Sequence, residues 1–462
     1  MVPWEYGVQT LRQIKGAAPC FRHLAAMGSR ATRWGGIADG RFRASGRFRL
    51  AEEPGVSWLV DPDGGRFLSM GINNVSFSPD EIQGTKRVPY AEACWHKYGG
   101  VDRWRAATAQ RLGSWGFNTL GSWSDEMVAD AGTTLAVAPN LDLGMSFAWM
   151  KNEQDGSGPQ QAFPDVFDPA FDAHVRHRAH ERCAARRDET RILGWFMDNE
   201  LRWGPDWRGP EELLTLFLKL APNTSGRRAA LDWLTARRGA AAALSYAAPP
   251  WRREPPYLRD TQAESAANAA DPARPTFCAD CDDFAALVAE RYFALTSEAL
   301  RDADPHHLNL GSRFDHPPAP AIIEAAARHA DVVSFNCYDA DPGQALAIYE
   351  ACGKPLLISE FSFRATDSGL PNTRGASPIV ATQGERAAAY RSYVTTALKH
   401  PRVVGVHWFE HADQPAEGRF DGENSNYGTV TIDDRVYAEL TAAMTRVNTA
   451  ADTLHAAAGA RA

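Results

Sequence analysis

The sequence predicts a (β/α)8 barrel, and two observations carry that prediction. Eight short apolar runs recur along the chain, and amphipathic segments lie between them. The runs are residues 67–73, 117–123, 134–143, 192–200, 308–314, 331–338, 355–361 and 403–410. Most contain β-branched or aromatic residues, the composition of strands buried on both faces. Short strands alternating with helices imply parallel βαβ units, and eight such units imply a closed barrel.

Each element follows in order. Residues 1–39 are Gly- and Arg-rich without a period and read as a loosely ordered extension. From Gly40 the pattern is strand-like. GRFRL ends at Leu50, SWLV spans 57–60, and Asp61-Pro-Asp-Gly-Gly65 separates it from the run at Phe67. That cluster between β-prone runs predicts a short N-terminal β-hairpin. Asp168 and Pro169 supply an N-cap and an N1 proline for a helix running to about Thr190. Further helices are expected over 284–302 and 383–399. The catalytic unit is read as 40–447, longer than the usual ~250 residues of such barrels. The excess falls in connections after strands one, three and four (74–100, 144–167 and 201–282), on the face where barrel active sites lie. Insertion 201–282 should wall the cleft. Residues 448–462 read as a frayed Ala-rich tail. A doubly wound sheet competes, but no G-x-G-x-x-G turn follows the first strand and no G-x-x-x-x-G-K-[ST] occurs.

Composition excludes several functions. The 462 residues are 44% hydrophobic and 23% charged, and 49 Lys plus Arg against 57 Asp plus Glu give net −8. Such a surface repels phosphate backbones, so nucleic acid is not an expected partner. No run reaches the roughly 18 apolar residues of a membrane span. The start shows no secretory signal, so a cytoplasmic location is expected unless the true start lies elsewhere. Of seven cysteines, only Cys278 and Cys281 form a close pair, and a lone C-x-x-C is weak evidence for metal. His174, His177 and His180 recur on one helix face and are read as solvated. No cofactor and no metal are expected.

The chemistry gathers at strand ends. Strand four ends Met197-Asp-Asn-Glu200 and strand seven Ile358-Ser-Glu360. Strand six ends Asn336-Cys-Tyr338, and strand eight holds His407-Trp-Phe-Glu-His411. Two glutamates at separate strand ends suit glycoside hydrolysis, one protonating the leaving oxygen and one facing the anomeric carbon. Alternation puts Asp198 and Glu200 on one face, so either a bulge re-aims the strand end or one acid is structural. Asp198 is taken as the structural one.

The Asn-Glu pair ending strand four, with a glutamate ending strand seven, resembles the clan A retaining glycosidases. The stretch Ser359–Leu440 is more specific. It holds SEF, GLPNTRGA, QGERAAAYRSYV and VVGVHWFEHADQPAEGRFDGENSNYGTV, and it resembles the agarase-type enzymes of glycoside hydrolase family 50. GWFMDNELRWG, YGG with LGSWGFNTLGSWSDE, and DPHHLNLGSRF match the same pattern, over residues 40–445 in all.

That resemblance implies Glu200 as general acid/base and Glu360 as nucleophile. Asn199 would bond the neighbouring sugar hydroxyl, Tyr338 would hold Glu360, and Trp408 would be the sugar platform. Arg313 and His407 are implied for hydroxyl contacts. Asn73 and Trp123, the last residues of the first two runs, join the substrate-binding set. In the loop after strand eight, Asp413, Gln414, Glu423 and Asn424 are candidates. The implied activity is exo-acting, retaining β-glycoside hydrolysis of galactose-containing oligosaccharides of agarose type. Galactosidase, glucosidase or mannosidase specificity, transglycosylation, a non-catalytic sugar-binding barrel and a metal-dependent hydrolase are the alternatives. Oligomeric state stays open.

Overall fold

The computed structural model describes residues 31–53, 55–155, 163–250, 271–376 and 378–458. β1 (Arg49–Glu53), β2 (Val56–Val60) and β3 (Arg66–Phe67) pair antiparallel in that order. Asp61 builds the turn between β2 and β3, its carboxylate accepting from the N–H groups of Asp63 at 3.0 Å and Gly65 at 2.9 Å. Gly64 has a φ of +93°, and a Cβ there would lie 2.7 Å from the Phe42 carbonyl, so glycine is required. The expected hairpin is therefore part of a three-stranded sheet. Most of extension 1–39 lies outside the described residues. Its described end is not loose: Ile37 and Arg66 exchange backbone hydrogen bonds at 2.8 and 3.1 Å, and Trp34 is buried against Phe48.

The central strands are β4 (Ser69–Ile72), β5 (Thr119–Leu120), β6 (Ala136–Val137), β7 (Gly194–Trp195), β8 (Leu308–Asn309), β9 (Val333–Asn336) and β10 (Leu356–Phe361). A short parallel pair follows, β11 (Arg364–Ala365) with β12 (Ile379–Val380), and then β13 (Val403–Trp408). One parallel sheet has the order β6-β5-β4-β13-β10-β9, while β7 and β8 pair separately. Parallel bridges continue the series. Val137 with Ile192 and Asn140 with Phe196 join β6 to β7, and Phe314 with Phe335 joins β8 to β9. Each of the eight apolar runs holds one of these parallel strands. The chain is a mixed α/β fold.

Helices fill the connections. α1 (Pro89–Tyr98) and α2 (Val101–Ser114) follow β4, and α3 (Leu143–Asp155) and α4 (Pro169–Cys183) follow β6. Asp168 caps α4 as its sequence predicts, accepting from the Ala170 N–H at 2.9 Å. After β7 come α5 (Leu213–Lys219), α6 (Ser225–Arg238), α7 (Ala242–Ala247) and α8 (Arg274–Ala303). Helices α5, α6 and α7 pack on one another, and α5 also packs on α8. The helix expected from 284 begins at Arg274, which places Cys278 and Cys281 on it, Cys281 buried. α9 (Pro320–His329), α10 (Gly343–Glu350) and α11 (Gln383–Leu398) follow β8, β9 and β12.

The chain closes with α12 (Ala438–Asn448) and α13 (Ala451–Ala456). Here the frayed-tail expectation fails. His455 is fully buried, with one ring nitrogen 2.9 Å from the Leu398 carbonyl and the other 2.9 Å from the Ser57 carbonyl. Alanine-rich composition hid a packed helix, because small side chains let it sit close. Among the described residues, no helix is long and apolar enough to cross a membrane.

Candidate active site

The ends of the parallel strands carry the polar residues. Beyond β7, the Met197 N–H donates to the Gly311 carbonyl at 2.8 Å and the Glu200 N–H to the Arg313 carbonyl at 3.1 Å. Glu200 and Arg313 both adopt left-handed backbone, with φ of +50° and +47°. Non-glycine residues rarely occupy that region, and it collects at functional sites. The turn at Glu200 also resolves the alternation problem. Asp198 stays buried and accepts from the N–H groups of Gly144 at 2.7 Å and Met145 at 2.8 Å, and from the Tyr292 hydroxyl. It caps α3, so it is the structural acid.

Glu360 lies on β10 and is 6% exposed. Arg313 Nη2 donates to its Oε2 at 2.5 Å, and the Tyr338 hydroxyl donates to Oε1. Asn336, opposite Glu360 in the β9–β10 register, bonds Glu200 and the residue before Glu360. Its Nδ2 donates to Glu200 Oε1 at 2.8 Å and lies 3.3 Å from Asn199 Oδ1, while its Oδ1 accepts from Ser359 Oγ at 2.8 Å. Burial raises the Glu200 carboxyl above the usual carboxylate range, and the negative charges of Glu360 and Asp315 raise it further. Burial also raises Glu360, against the opposing pull of Arg313 and Tyr338. The arrangement can hold a proton on Glu200 beside a carboxylate at Glu360.

Several candidates lie elsewhere than expected. Trp408 is fully buried, its indole N–H donating to the Glu410 and Tyr427 carbonyls at 3.1 and 3.0 Å, and Arg386 packs 5.3 Å from its ring. It is a core residue, and no sugar reaches it. His407 points into the interior of the strand array, with Nε2 2.8 Å from Ser69 Oγ. Burial first, then Arg313, pushes it down to about 3, so it is neutral. A Cβ on Gly71 would lie 2.2 Å from the His407 ring, so glycine makes its space. Asn73 is also fully buried and donates to the Ser359 carbonyl at 3.0 Å. Strand-end position alone did not separate inward residues below the site from residues facing it.

The loop after β13 is bonded mostly to itself. Asp413 accepts from Asn426 at 2.8 Å, the Gly428 N–H at 2.8 Å and the Tyr437 hydroxyl at 2.6 Å. Asn424 accepts from the Thr373 and Arg374 N–H groups. Gln414 is fully buried and donates to Glu410 at 3.0 Å and Glu423 at 2.9 Å. Asp413 and Gln414 thus shape the loop and do not face an open cleft. Glu423 pairs with Arg419 at 2.8 Å.

Trp123, expected in the substrate-binding set, lies at the surface. It is 43% exposed, carries the Arg313 guanidinium 4.6 Å from its ring, and touches Phe409 edge-on at 6.3 Å. A cavity of about 130 Å³ lies beside it, lined also by Asn140, Asp142 and Arg182. Arg313 itself is fully buried, so it braces Glu360 instead of reaching for hydroxyls. His177 and His180 are exposed, while His174 is half-buried 2.8 Å from Ser146 Oγ. Asn336 and Asp315 were missed from the sequence. Asn336 had a signal, since it sits two residues before Tyr338 and shares its face. Asp315 had none.

The chain resembles the β-agarases. Beta-agarase A from Vibrio sp. (strain JT0107) is 29% identical over 87% of this chain and 45% of its own length. Beta-agarase B from the same strain is 28% identical over 90% of this chain and 49% of its own. The chain therefore spans about half the length of the curated relatives it matches. Among solved structures, an exo-beta-agarase superposes with a TM-score of 0.72 at 24% identity, covering 94% of this chain and 70% of that one. The agarase AgWH50C gives 0.71 at 24%, covering 98% and 72%. These likenesses establish the fold. No family model matches the chain.

Proposed function

We propose that the protein is a retaining glycoside hydrolase cleaving β-linkages in galactose-containing, agarose-type oligosaccharides from a chain end. One observation carries the reading: Asn336 bonds Glu200 from the position opposite Glu360 in the strand register, and of the two glutamates only Glu360 is bonded to an arginine. Its catalytic unit is residues 40–447. The parallel pairing in chain order, with β13 returning to β4, supports a (β/α)8 barrel for it. The substrate reading draws on the curated relatives, both named beta-agarases.

The chemistry follows from the two environments. Arg313 and Tyr338 hold charge on Glu360, leaving it ready to attack the anomeric carbon. Glu200 carries the proton for the leaving oxygen, because two adjacent carboxylates resist joint ionisation. When Glu360 becomes esterified its charge disappears, the carboxyl of Glu200 becomes more acidic, and it accepts a proton from the incoming water. Asn199, half-buried beside Asn336, lies where it can meet the hydroxyl next to the reacting carbon. No metal or cofactor enters this scheme.

The test is a time course on agarose-derived oligomers beside aryl β-galactoside, β-glucoside and β-mannoside. Small product from the first moment on a galacto-configured substrate is expected. Long internal fragments would remove the exo claim, and preference for gluco- or manno-substrates would remove galactose.

A further inference from the structure

The connection after β7 carries a tryptophan that the catalytic scheme leaves unused. Trp207 is 67% exposed, so its ring is open to contact. It is not on a loose loop. Asp206 and Gly209 exchange backbone hydrogen bonds at 3.0 and 3.1 Å, which places Trp207 and Arg208 at the tip of a tight turn. Asp206 is buried, and its carboxylate accepts from the Arg208 N–H and Nε, both at 2.8 Å. Behind the turn, fully buried Arg202 lies 3.6 Å from Asp206 and bonds the Gly204 and Glu211 carbonyls at 3.3 and 3.2 Å. The tip is fixed from below.

Arg208 joins this turn to the reacting groups. Its guanidinium carbon lies 5.4 Å from the Trp207 ring centroid, and its Nη2 lies 4.0 Å from Asp315. Arg208 and Asp315 are both within electrostatic reach of Glu200, the first favouring its charge and the second opposing it. One face of the indole therefore rests on a cation while most of the ring meets water. An indole held in place this way offers a flat apolar face on which a sugar ring can stack.

Position then selects which sugar. On the reading of Glu200 as proton donor, on which this inference rests, the departing chain lies on the Glu200 side of the scissile bond. We propose that Trp207 is the stacking platform for the first sugars of the leaving chain.

The experiment compares wild type with Trp207→Ala and Trp207→Phe on two substrates. One is a series of neutral agarose-derived oligosaccharides. The other is the β-glycosyl fluoride of the same terminal sugar, whose leaving group occupies no further subsite. The ratio of kcat/KM on oligosaccharide to that on fluoride should fall about tenfold or more in Trp207→Ala, mainly through KM, and recover largely in Trp207→Phe. An unchanged ratio overturns the platform. Calorimetric titration of the same oligosaccharides into Glu360→Gln, with and without Trp207→Ala, tests it apart from turnover: affinity should weaken about tenfold, and equal affinity also overturns it. Failure of wild type to turn over the fluoride strikes the assignment of Glu360 as nucleophile and leaves the titration as the judge of Trp207.

Discussion

Arg313 donates to the Glu360 carboxylate at 2.5 Å while its own backbone carbonyl accepts the Glu200 N–H at 3.1 Å. One residue on the segment after β8 thus positions both glutamates. Its guanidinium cannot drift, because it lies 4.6 Å from the Trp123 ring and 5.3 Å from that of Phe196.

Replacing Arg313 by methionine should therefore move a titration and not simply lower a rate. Glu360 must be ionised to attack, and Arg313 opposes the upward push of burial on its carboxyl. Without the arginine that carboxyl binds its proton more tightly, so the acidic limb of the kcat/KM profile shifts to higher pH. Tyr338→Phe should shift it the same way, by less. A pH–rate series on all three proteins decides the matter, and an unmoved acidic limb in both variants contradicts the positioning role.

Glu200 governs the other limb. Its raised carboxyl keeps the proton past the usual carboxylate range, so kcat/KM falls only when higher pH removes it. In Glu200→Ala the alkaline limb should vanish, with slow turnover of poor leaving groups and tolerance of activated aryl glycosides. Glu360→Gly should instead lose turnover and, with azide, release a glycosyl azide of inverted configuration. If Glu410 or Asp198 variants behave this way, the assignment is wrong.

Retention of configuration sets a distance. The carboxyl groups of Glu200 and Glu360 should lie about 5–5.5 Å apart in a ligand complex, with NMR showing the first product with its original anomer. A separation near 9 Å or an inverted first product would falsify the double displacement.

Two tryptophans of the expected substrate-binding set should part company. Trp408→Ala removes a fully buried side chain, so it should cost about 3–5 kcal/mol and appear as a lower Tm. Trp123→Ala, 43% exposed, should leave Tm nearly unchanged and raise KM. Thermal melts and steady-state kinetics on the two variants separate them.

Acid stability has its own marker. Asp304, at the end of α8, bonds the His307 ring at 2.6 Å and the Trp195 indole N–H at 2.8 Å. Burial would raise its carboxyl, but these partners overcome it and hold it down to about 2. Its contribution is present above the ordinary aspartate pKa and is lost as pH falls through the lowered value. Asp304→Asn should unfold more easily at neutral pH, and its stability should depend less on pH between about 4 and 2. Denaturant melts at stepped pH read both effects.

Much of this was legible in the sequence, and the reason is periodicity. Runs such as LNLGSRF and PLLISEF announce their strands because buried parallel strands need continuous apolar residues. Glu200, Glu360 and Tyr338 could be found because each follows or ends such a run. What could not be read was direction. Trp408 and His407 occupy adjacent positions on β13, yet neither faces the cleft: Trp408 packs on Arg386 of α11, and His407 fills the space left by Gly71. Nor does sequence spacing reveal Arg313 beneath Glu360, since a carboxylate can find its cation on any neighbouring strand. The buried amides that satisfy Glu410, Asn74 at 2.5 Å and Gln414 at 3.0 Å, come from opposite ends of the chain.

The pairing of β13 with β4 has a consequence for synthesis. Ser69 lies opposite Gly405, and His455 reaches back to Ser57, so one edge of β4 finds its partner only after a long further stretch of chain has been made. Until then a nascent chain presents an open strand edge, the feature that invites pairing with a stranger. The alanine-rich α13 is the clasp that ties α11, through the Leu398 carbonyl, to β2, through the Ser57 carbonyl, and removing it should leave a protein that aggregates on the way to folding.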